Sequence, residues 1–379
     1  LTNFSEHYQS RVERIKSGVE KVLSGEPVQT LIPTTGSSGK VKLIPYTAGL
    51  KKSFQRVVDA WMVDTARRYP QAFRGKSYWA VTPPVVRQFE ASQVPIGFES
   101  DEEYLSPIGK LLSKLIMVKA PKFSPDEQVE TVMGLTALKL LSEPELSLVS
   151  VWSPTLLLNL LETIWNDRSK FIEALEQGDE RLVKPPGSHS TIQLKPNVKR
   201  ARAVKRVLSE AESQIGLAKN LWPNLTLVSC WGDAGSQEYF DQLRKLEPDI
   251  VFQPKGLLST EGCVSFPFGG DVGHVPALHA TFLEFLPRND QSENSGNSDT
   301  RLVHQLQIGQ IYEVVITTLG GLYRYKTGDL VEVIDGRGSL PRFDFVGRTS
   351  SVIDLVGEKV ALSVIAESLS EFFDEKAST

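Results

Sequence analysis

Small residues, hydroxyl groups and two lysines are concentrated in residues 34–47. Gly36 and Gly39 allow the backbone to come close to a ligand, so that consecutive N–H groups can form an anion-binding nest. Hydroxyl groups add hydrogen-bond donors, and lysines supply positive charge against a triphosphate. The side chains that provide these groups are Thr34, Thr35, Ser37, Ser38, Lys40 and Lys42. The segment therefore predicts a phosphate-binding loop.

The spacing of the two glycines excludes an ordinary P-loop, which has four residues between its glycines and Ser or Thr after its lysine. Here two residues separate Gly36 from Gly39, and Val41 follows Lys40. A flexible Gly/Ser linker is the alternative interpretation. A linker needs neither two lysines nor the apolar run at residues 43–46, so we favour a binding loop that leads into a strand.

Length and composition indicate a globular protein. With 379 residues the chain can bury a sizeable core, as one large domain with subdomains or as two domains. Since no apolar run is long enough to span a membrane and no signal-peptide pattern begins the chain, we expect a cytoplasmic protein without a membrane partner. A net charge of −4 argues against nucleic-acid binding. The two cysteines, Cys230 and Cys263, cannot form a disulfide framework.

Hydrophobic periodicity and turn residues predict an alternation of helices and strands. The predicted helices are residues 4–23, 50–66, 153–178, 195–217 and 239–246, and the predicted strands are residues 78–81, 225–231 and 250–252. A β-hairpin formed by residues 311–318 and 322–333 is predicted about Gly320 and Gly321.

The order of strand, helix and strand suggests a parallel sheet, whose ligand sites lie beyond the carboxyl ends of the strands. Gly232 and Asp233 come at one such end, and Ser259, Thr260 and Glu261 come at another. A hydroxyl group beside a carboxylate suits Mg²⁺ held between a hard oxygen ligand and phosphate groups.

Six basic residues on the predicted helix 195–217 are open to two interpretations. They are Lys195, Lys199, Arg200, Arg202, Lys205 and Arg206. A nucleic-acid surface would need aromatic residues between these charges for base stacking, and none is present. A solvated helix face is therefore the interpretation we favour.

Two later segments place charged residues beside strands. Asp329 follows a strand and Gly328, and from there a carboxylate can accept hydrogen bonds from both hydroxyl groups of a ribose. Arg348 ends the run Phe345-Val346-Gly347-Arg348 and precedes a charged segment at residues 357–360. Taken singly, the first could be a plain turn and the second a salt-bridged surface turn.

Taken in order, these segments resemble the adenylate-forming superfamily, and within it the plant and bacterial family of acyl-acid amido synthetases named for auxin-responsive promoters. The resemblance runs from about residue 4 to residue 372. It implies an α/β fold in which residues 1–347 form a large N-terminal adenylation domain, with mixed, largely parallel sheets flanked by helices and a small β-subdomain. Residues 348–379 would be the hinge and the beginning of a smaller C-terminal domain, most of which this chain lacks.

The resemblance also implies roles for individual residues. The expected nucleotide-binding residues are Thr35, Gly36, Ser37, Ser38, Gly39, Gly232, Asp233, Leu257, Ser259, Asp329 and Arg348. The expected catalytic residues are Lys40, Thr260 and Glu261. Glu261 would ligate Mg²⁺, Thr260 would contact the α-phosphate of ATP, Asp329 would hold the ribose and Arg348 would sit at the hinge. Gly232 and Asp233 would lie near the adenine and the acyl site.

Two departures from the superfamily pattern stand out. Leu257 occupies a position where the superfamily often has Tyr, so adenine stacking there would be aliphatic. The lysine that the superfamily carries in its C-terminal domain has no assignable counterpart in this chain.

The function that the resemblance implies is ATP-dependent activation of a carboxylic acid as an acyl adenylate, followed by transfer to an amine, for which an amino acid is expected. ATP, Mg²⁺ and two small-molecule substrates would be its cofactors and partners. Two alternatives stay open, namely transfer to a thiol of coenzyme A or of a protein cysteine, and a nucleotide-binding regulatory module without catalysis.

Overall fold

The computed structural model describes residues 1–35, 41–80, 92–97, 116–119, 121, 123, 127–270, 272–288, 299–336, 340–349, 352–355 and 358–361. The α-helices among them are α1 (Gln9–Lys16), α2 (Ala48–Arg68), α3 (Val129–Leu141), α4 (Pro154–Asn166), α5 (Arg168–Gln177), α6 (Val198–Glu210), α7 (Leu217–Leu221) and α8 (Gln237–Leu246). The strands are β1 (Thr30–Thr35), β2 (Val41–Tyr46), β3 (Lys76–Trp79), β4 (Leu146–Ser150), β5 (Leu227–Cys230), β6 (Val251–Pro254), β7 (Leu258–Ser259), β8 (Gly262–Cys263), β9 (Ser265–Phe266), β10 (Val275–Pro276), β11 (Phe282–Pro287), β12 (Ile311–Thr317), β13 (Tyr325–Asp335), β14 (Arg342–Arg348), β15 (Val352–Leu355) and β16 (Glu358–Ala361).

Strands β3, β4, β5 and β6 form a parallel sheet in that order. Every residue of β4 and β5 is buried, as expected of parallel strands covered on both faces. The largest hydrophobic core lies between this sheet and helices α3 to α8, and it includes Leu138, Leu161, Phe171 and Val228. This sheet is the one that the strand–helix–strand order predicts.

Strands β11 to β14 form an antiparallel sheet in chain order. The second hydrophobic core of the protein packs on this sheet and contains the fully buried side chains of Phe285, Val331 and Phe343. The N-terminal segment covers part of this core, because Tyr8 packs edge-on against Tyr325 with their ring centroids 5.8 Å apart. Strands β12 and β13 confirm the predicted hairpin.

Helix α2 packs against both the parallel sheet and the short strands β7 to β10. Its Trp61 donates a hydrogen bond through Nε1 to Gln253 Oε1 on β6 at 2.8 Å and packs against Trp79 at the end of β3. The same helix packs on Phe266 and Val275, which belong to β9 and β10. One amphipathic helix thus fixes the carboxyl edge of the sheet relative to the segment that carries Glu261.

The structure confirms a mixed α/β fold with a parallel sheet and flanking helices. The other described sheets are antiparallel, so more of the strand pairing is antiparallel than the sequence predicted. Among the described residues, no helix is long and apolar enough to cross a membrane. Helices α2 and α8 lie close to their predicted bounds.

The N-terminal helix is shorter than predicted. It ends at Lys16 instead of residue 23, after a π-helical turn at Phe4–Tyr8. Gly18 has φ 87° and Lys21 has φ 55°, both in the left-handed region that terminates helices. The helical spacing of hydrophobic residues continues past this point, but the helical conformation of the backbone does not.

The predicted helix 153–178 is two helices, α4 and α5, which meet at Asp167. Asp167 has φ −103° and ψ 25°, which is outside the helical range. The two outer ends are as predicted. The hydroxyl group of Ser153 accepts a hydrogen bond from the N–H of Thr155, and Gly178 takes the left-handed conformation at the C-cap.

Arg200 departs from the prediction that the basic helix presents a solvated face. It is buried, and its guanidinium donates to the carbonyl of Leu141 at 2.7 Å and to the carbonyl of Leu221 at 2.9 Å. These carbonyls lie at the C-termini of α3 and α7, where a cation is favourable. The other five residues of the basic group are exposed, as predicted.

We expect Arg200→Met to lower the free energy of unfolding by about 2–4 kcal/mol, because two carbonyls lose a charged donor inside the core. The matched control is Arg202→Met on the exposed side of the same helix, which should change stability by less than about 0.5 kcal/mol. Urea unfolding followed by circular dichroism measures both. Equal effects of the two substitutions would contradict the capping role of Arg200.

Candidate functional site

The predicted phosphate loop connects two paired strands. Strands β1 and β2 are antiparallel, and Thr35 is in register with Val41. Gly36, Ser37, Ser38, Gly39 and Lys40 lie outside the described residues, and so does the side chain of Thr35. Their roles stay predictions. The strand that the apolar run at residues 43–46 predicts after the loop is confirmed.

Thr260 and Glu261 form the turn between β7 and β8, a small antiparallel hairpin beyond the parallel sheet. The Ser259 hydroxyl group donates to the Gly262 carbonyl at 3.2 Å and closes this turn. Tyr46, the last residue of β2, donates its hydroxyl hydrogen to the Thr260 carbonyl at 2.7 Å. The turn with the expected metal ligand is therefore tied to the strand that follows the phosphate loop. No sequence pattern points to this role of Tyr46.

Asp329 and Arg348 face each other on β13 and β14. Arg348 Nε lies 2.8 Å from Asp329 Oδ1, and the side chain of Asp329 is 1% exposed. The chain turns into this position at Gly328, whose φ of 79° strains residues with a Cβ. The Thr327 hydroxyl group accepts from the Asp329 N–H at 3.0 Å. Two residues with separately predicted roles thus form one buried ion pair.

Lys42 brings a third charge to this pair. Its Nζ lies 3.5 Å from the hydroxyl group of Tyr325 on β13. Burial lowers the pKa of Lys42, the carboxylates of Glu261 and Asp329 oppose this shift, and Arg348 adds to it. Burial raises the pKa of Tyr325, and the same two carboxylates raise it further. Glu261, Asp329 and Arg348 therefore lie near enough to act on a lysine from the phosphate-loop strand.

The start of β13 is held from two sides. The Tyr323 N–H donates to the Tyr8 hydroxyl group at 2.7 Å, and Thr2 Oγ1 donates to the Tyr323 carbonyl at 2.7 Å. Arg324 forms a bidentate pair with Glu284 on β11, with N–O distances of 3.0 and 2.8 Å. These contacts fix the segment that leads to Asp329.

Gly232 and Asp233 follow β5, at the predicted edge of the sheet. A Cβ on Gly232 would lie 2.9 Å from Pro254 Cβ, so a glycine lets β5 and β6 end close together. Asp233 faces His274 and Asp344, with His274 Nδ1 3.6 Å from Asp233 Oδ2 and 3.4 Å from Asp344 Oδ1. Burial raises the pKa of Asp233 to about 6, against the effect of His274. His274 and Asp344 were not predicted, because no local sequence pattern connects them to Asp233.

Lys255, just after β6, is the other missed residue at this edge. Its ammonium donates to the Ser150 hydroxyl group at 2.7 Å. It lies 4.7, 5.7 and 5.2 Å from the ring centroids of Trp61, Trp79 and Trp152. The position of a lysine close to a strand end was the sequence signal for this site. The sequence does not show that three indoles from separate segments surround this lysine. Leu257 is half-buried and packs against the core of the antiparallel sheet.

The residues around Lys42 can bind an anion and a hard cation together. Lys42 supplies positive charge, and Glu261, on a partly exposed turn, supplies a carboxylate. Mg²⁺ in proteins is held by one or two carboxylates together with water and substrate phosphates, so the donors at Thr260 and Glu261 fit it. This chemistry suits a nucleotide phosphate.

The fold is that of an acyl acid amido synthetase. The structure titled "AtGH3.15 acyl acid amido synthetase in complex with 2,4-DB" matches with a TM-score of 0.75 at 18% identity, over 97% of this chain and 64% of that one. The chain belongs to the GH3 family, because the model of the GH3 family N-terminal domain matches residues 5–252 and that of the GH3 family central domain matches residues 274–348. The resemblance seen in the sequence is confirmed.

Two curated relatives carry named activities. The jasmonoyl–L-amino acid synthetase GH3.5 of Oryza sativa subsp. japonica is 24% identical over 96% of this chain and 67% of its own length. The indole-3-acetic acid-amido synthetase GH3.10 of Arabidopsis thaliana is 24% identical over 91% of this chain and 62% of its own length. The chain thus spans about two thirds of the length of these relatives.

We expect Arg348→Met to destabilise the protein by about 2–4 kcal/mol, somewhat less than a fully buried pair, because Arg348 is 20% exposed. The control Arg181→Met breaks the pair with Asp179, in which Arg181 is 79% exposed, and should leave stability nearly unchanged. Urea unfolding measures both. Adding Asp329→Asn to Arg348→Met should restore part of the lost stability, since the neutral amide of Asn needs no cation. Purely additive effects of the two substitutions would contradict the pairing.

Proposed function

We propose that this chain binds ATP and Mg²⁺ and activates a carboxylic acid as an acyl adenylate, which is then transferred to the amino group of an amino acid. The observation that carries this proposal is the contact of Lys42 with Tyr325 on β13, the strand whose Asp329 pairs with Arg348, together with the effect of Glu261, Asp329 and Arg348 on the pKa of Lys42. Four sequence segments that resemble nucleotide-binding motifs supply these residues. The names of the relatives, which are amido synthetases, support the amine acceptor.

In this proposal the residues of the chain neutralise and position charge. A carboxylate and the α-phosphate repel each other, so both need compensation before they can react. Lys40 and Lys42 would supply positive charge to the phosphates, and Gly36, Ser37, Ser38 and Gly39 would supply backbone and hydroxyl donors. Glu261 would hold Mg²⁺, which would withdraw charge from the phosphates, and Thr260 and Ser259 would lie beside the α-phosphate.

Asp329 is proposed to hold the ribose, while Gly232, Asp233 and Leu257 border the adenine. Arg348 contacts Asp329 Oδ1 in the described arrangement, and we propose that this arginine moves when the ribose binds the carboxylate. Such a movement fits a hinge. We propose residues 1–347 as the adenylation domain and residues 348–379 as the hinge and the start of a second domain, which the greater length of the relatives supports.

The acid is proposed to bind at the carboxyl edge of the parallel sheet, beside Lys255. The rings of Trp61, Trp79 and Trp152 lie around its ammonium, and a buried cation attracts a carboxylate. An acid with an aromatic or aliphatic body suits these walls. A cytoplasmic location is part of the same proposal.

The two cysteines of this chain are poor acceptors for the acyl group. Burial raises the pKa of Cys230 to about 12, and burial raises the pKa of Cys263 as well. The thiolate is the nucleophile, so neither side chain is suited to attack an adenylate. Transfer to coenzyme A stays the thiol alternative, and acceptor dependence distinguishes it from amide formation.

Acid-dependent exchange of pyrophosphate into ATP tests the proposed activation step. We expect exchange that depends on Mg²⁺ and on an aromatic or aliphatic acid. Lys42→Met should lower the exchange rate about 100-fold, as loss of one preorganised charge does. Lys199→Met, an exposed lysine on α6, is the control and should exchange like the parent. Tight ATP binding without any exchange would favour the regulatory module instead.

Asp329→Asn should weaken ATP binding at least tenfold. A hydrogen bond to a charged group contributes ~1.5–3 kcal/mol, and the amide keeps the shape while losing the charge. Calorimetric titration with ATP and Mg²⁺ measures the affinity, with circular dichroism to establish that the variant is folded. Asp335→Asn, at the far end of β13, should bind ATP like the parent. A folded Asp329→Asn protein with parental affinity would refute the ribose assignment.

A further inference from the structure

Three ligand-type side chains meet where the segment after β5 reaches strand β14. Asp233, His274 and Asp344 each offer one atom, and these atoms all lie within 4.8 Å of one another. His274 is 1% exposed, whereas Asp344 is 40% exposed at the rim. The group is therefore enclosed on one side and open to solvent on the other.

The hydrogen bond of His274 determines which ring nitrogen faces the carboxylates. Nε2 lies 3.3 Å from the carbonyl of Pro254, and a carbonyl only accepts, so Nε2 carries the hydrogen. In the neutral ring, Nδ1 then presents a lone pair to two carboxylates. This nitrogen is buried and has no hydrogen-bond partner among the described residues. A cation between the three atoms resolves this repulsion.

The distances suit a metal ion. Nδ1 lies 3.6 and 3.4 Å from the two carboxylate oxygens, farther than the about 2.7–2.9 Å of a charge-assisted hydrogen bond. A tetrahedral ion with bonds of about 2.0–2.2 Å separates its ligands by roughly 3.3–3.6 Å. A histidine that ligates a metal commonly donates its other N–H to a backbone carbonyl, which is what Pro254 provides.

We propose that Asp233, His274 and Asp344 bind a divalent transition metal ion of the zinc type, with water as the fourth ligand on the exposed side of Asp344. A nitrogen ligand with two carboxylates suits Zn²⁺ better than Mg²⁺, which prefers oxygen. The ion would cross-link the end of parallel strand β5 to antiparallel strand β14. It would thereby hold in place the strand that ends at Arg348.

Metal binding is measured on the whole chain after removal of metal by a chelator. We expect one equivalent of Zn²⁺ by calorimetry, a higher Tm with Zn²⁺ than with the same concentration of Mg²⁺, and intense visible absorption with Co²⁺ from a four-coordinate site. Absence of stoichiometric Zn²⁺ binding, or weak absorption typical of six-coordinate Co²⁺, would overturn the proposal. ATP is left out, so the outcome is independent of the nucleotide assignment.

Asp344→Asn tests the assignment of ligands, because this half-exposed side chain is replaced by one of the same shape. We expect affinity for Zn²⁺ to fall at least ~100-fold and the Zn²⁺-dependent rise in Tm to be lost. Asp241→Asn is the matched control, since Asp241 is 46% exposed, and His304→Gln tests a surface histidine. Both controls should bind like the parent. Parental affinity in Asp344→Asn, or loss of binding in His304→Gln, would place the ion elsewhere and refute the site.

Discussion

The candidate nucleotide site depends on the buried pair of Asp329 and Arg348. A carboxylate that is 1% exposed is unfavourable unless a cation accompanies it, and β14 supplies that cation 2.8 Å away. Gly328 has φ 79° just before Asp329, and the register of β13 and β14 places Asp329 opposite Arg348 at this end. Lys42 on β2 contacts Tyr325 on β13, so strand β2 is positioned relative to the same pair.

The sequence was sufficient to predict the helices, strands and turns that neighbouring residues determine. Alternating apolar residues and paired glycines were sufficient for the hairpin that contains Asp329, and the Ser153 cap and Gly178 end were identified from turn chemistry. The edge of the parallel sheet followed from the order of strands and helices, which placed Asp233 correctly after β5. Each of these predictions uses only neighbouring residues or the order of elements.

Contacts between distant segments could not be predicted in the same way. Arg200 looks like its basic neighbours, and only the docking of α3 and α7 turns it into a buried cap. Tyr46 reads as an apolar strand residue, yet its hydroxyl group holds the Thr260 turn. The tertiary fold determines which of several similar polar side chains is buried and desolvated. Hydrophobic periodicity carries no information about this.

The position of Arg348 has a consequence for the proposed nucleotide binding. If ribose and Arg348 both require Asp329, ATP binding must include the free energy of separating the ion pair, and the apparent affinity falls by the fraction of molecules in which the pair is open. Because Arg348 ends β14 at the proposed hinge, whatever follows the hinge can change that fraction. By reciprocity, nucleotide that captures Asp329 then biases the orientation of the segment beyond Arg348 by the same free energy. One buried carboxylate would thus couple occupancy of the site to movement at the hinge.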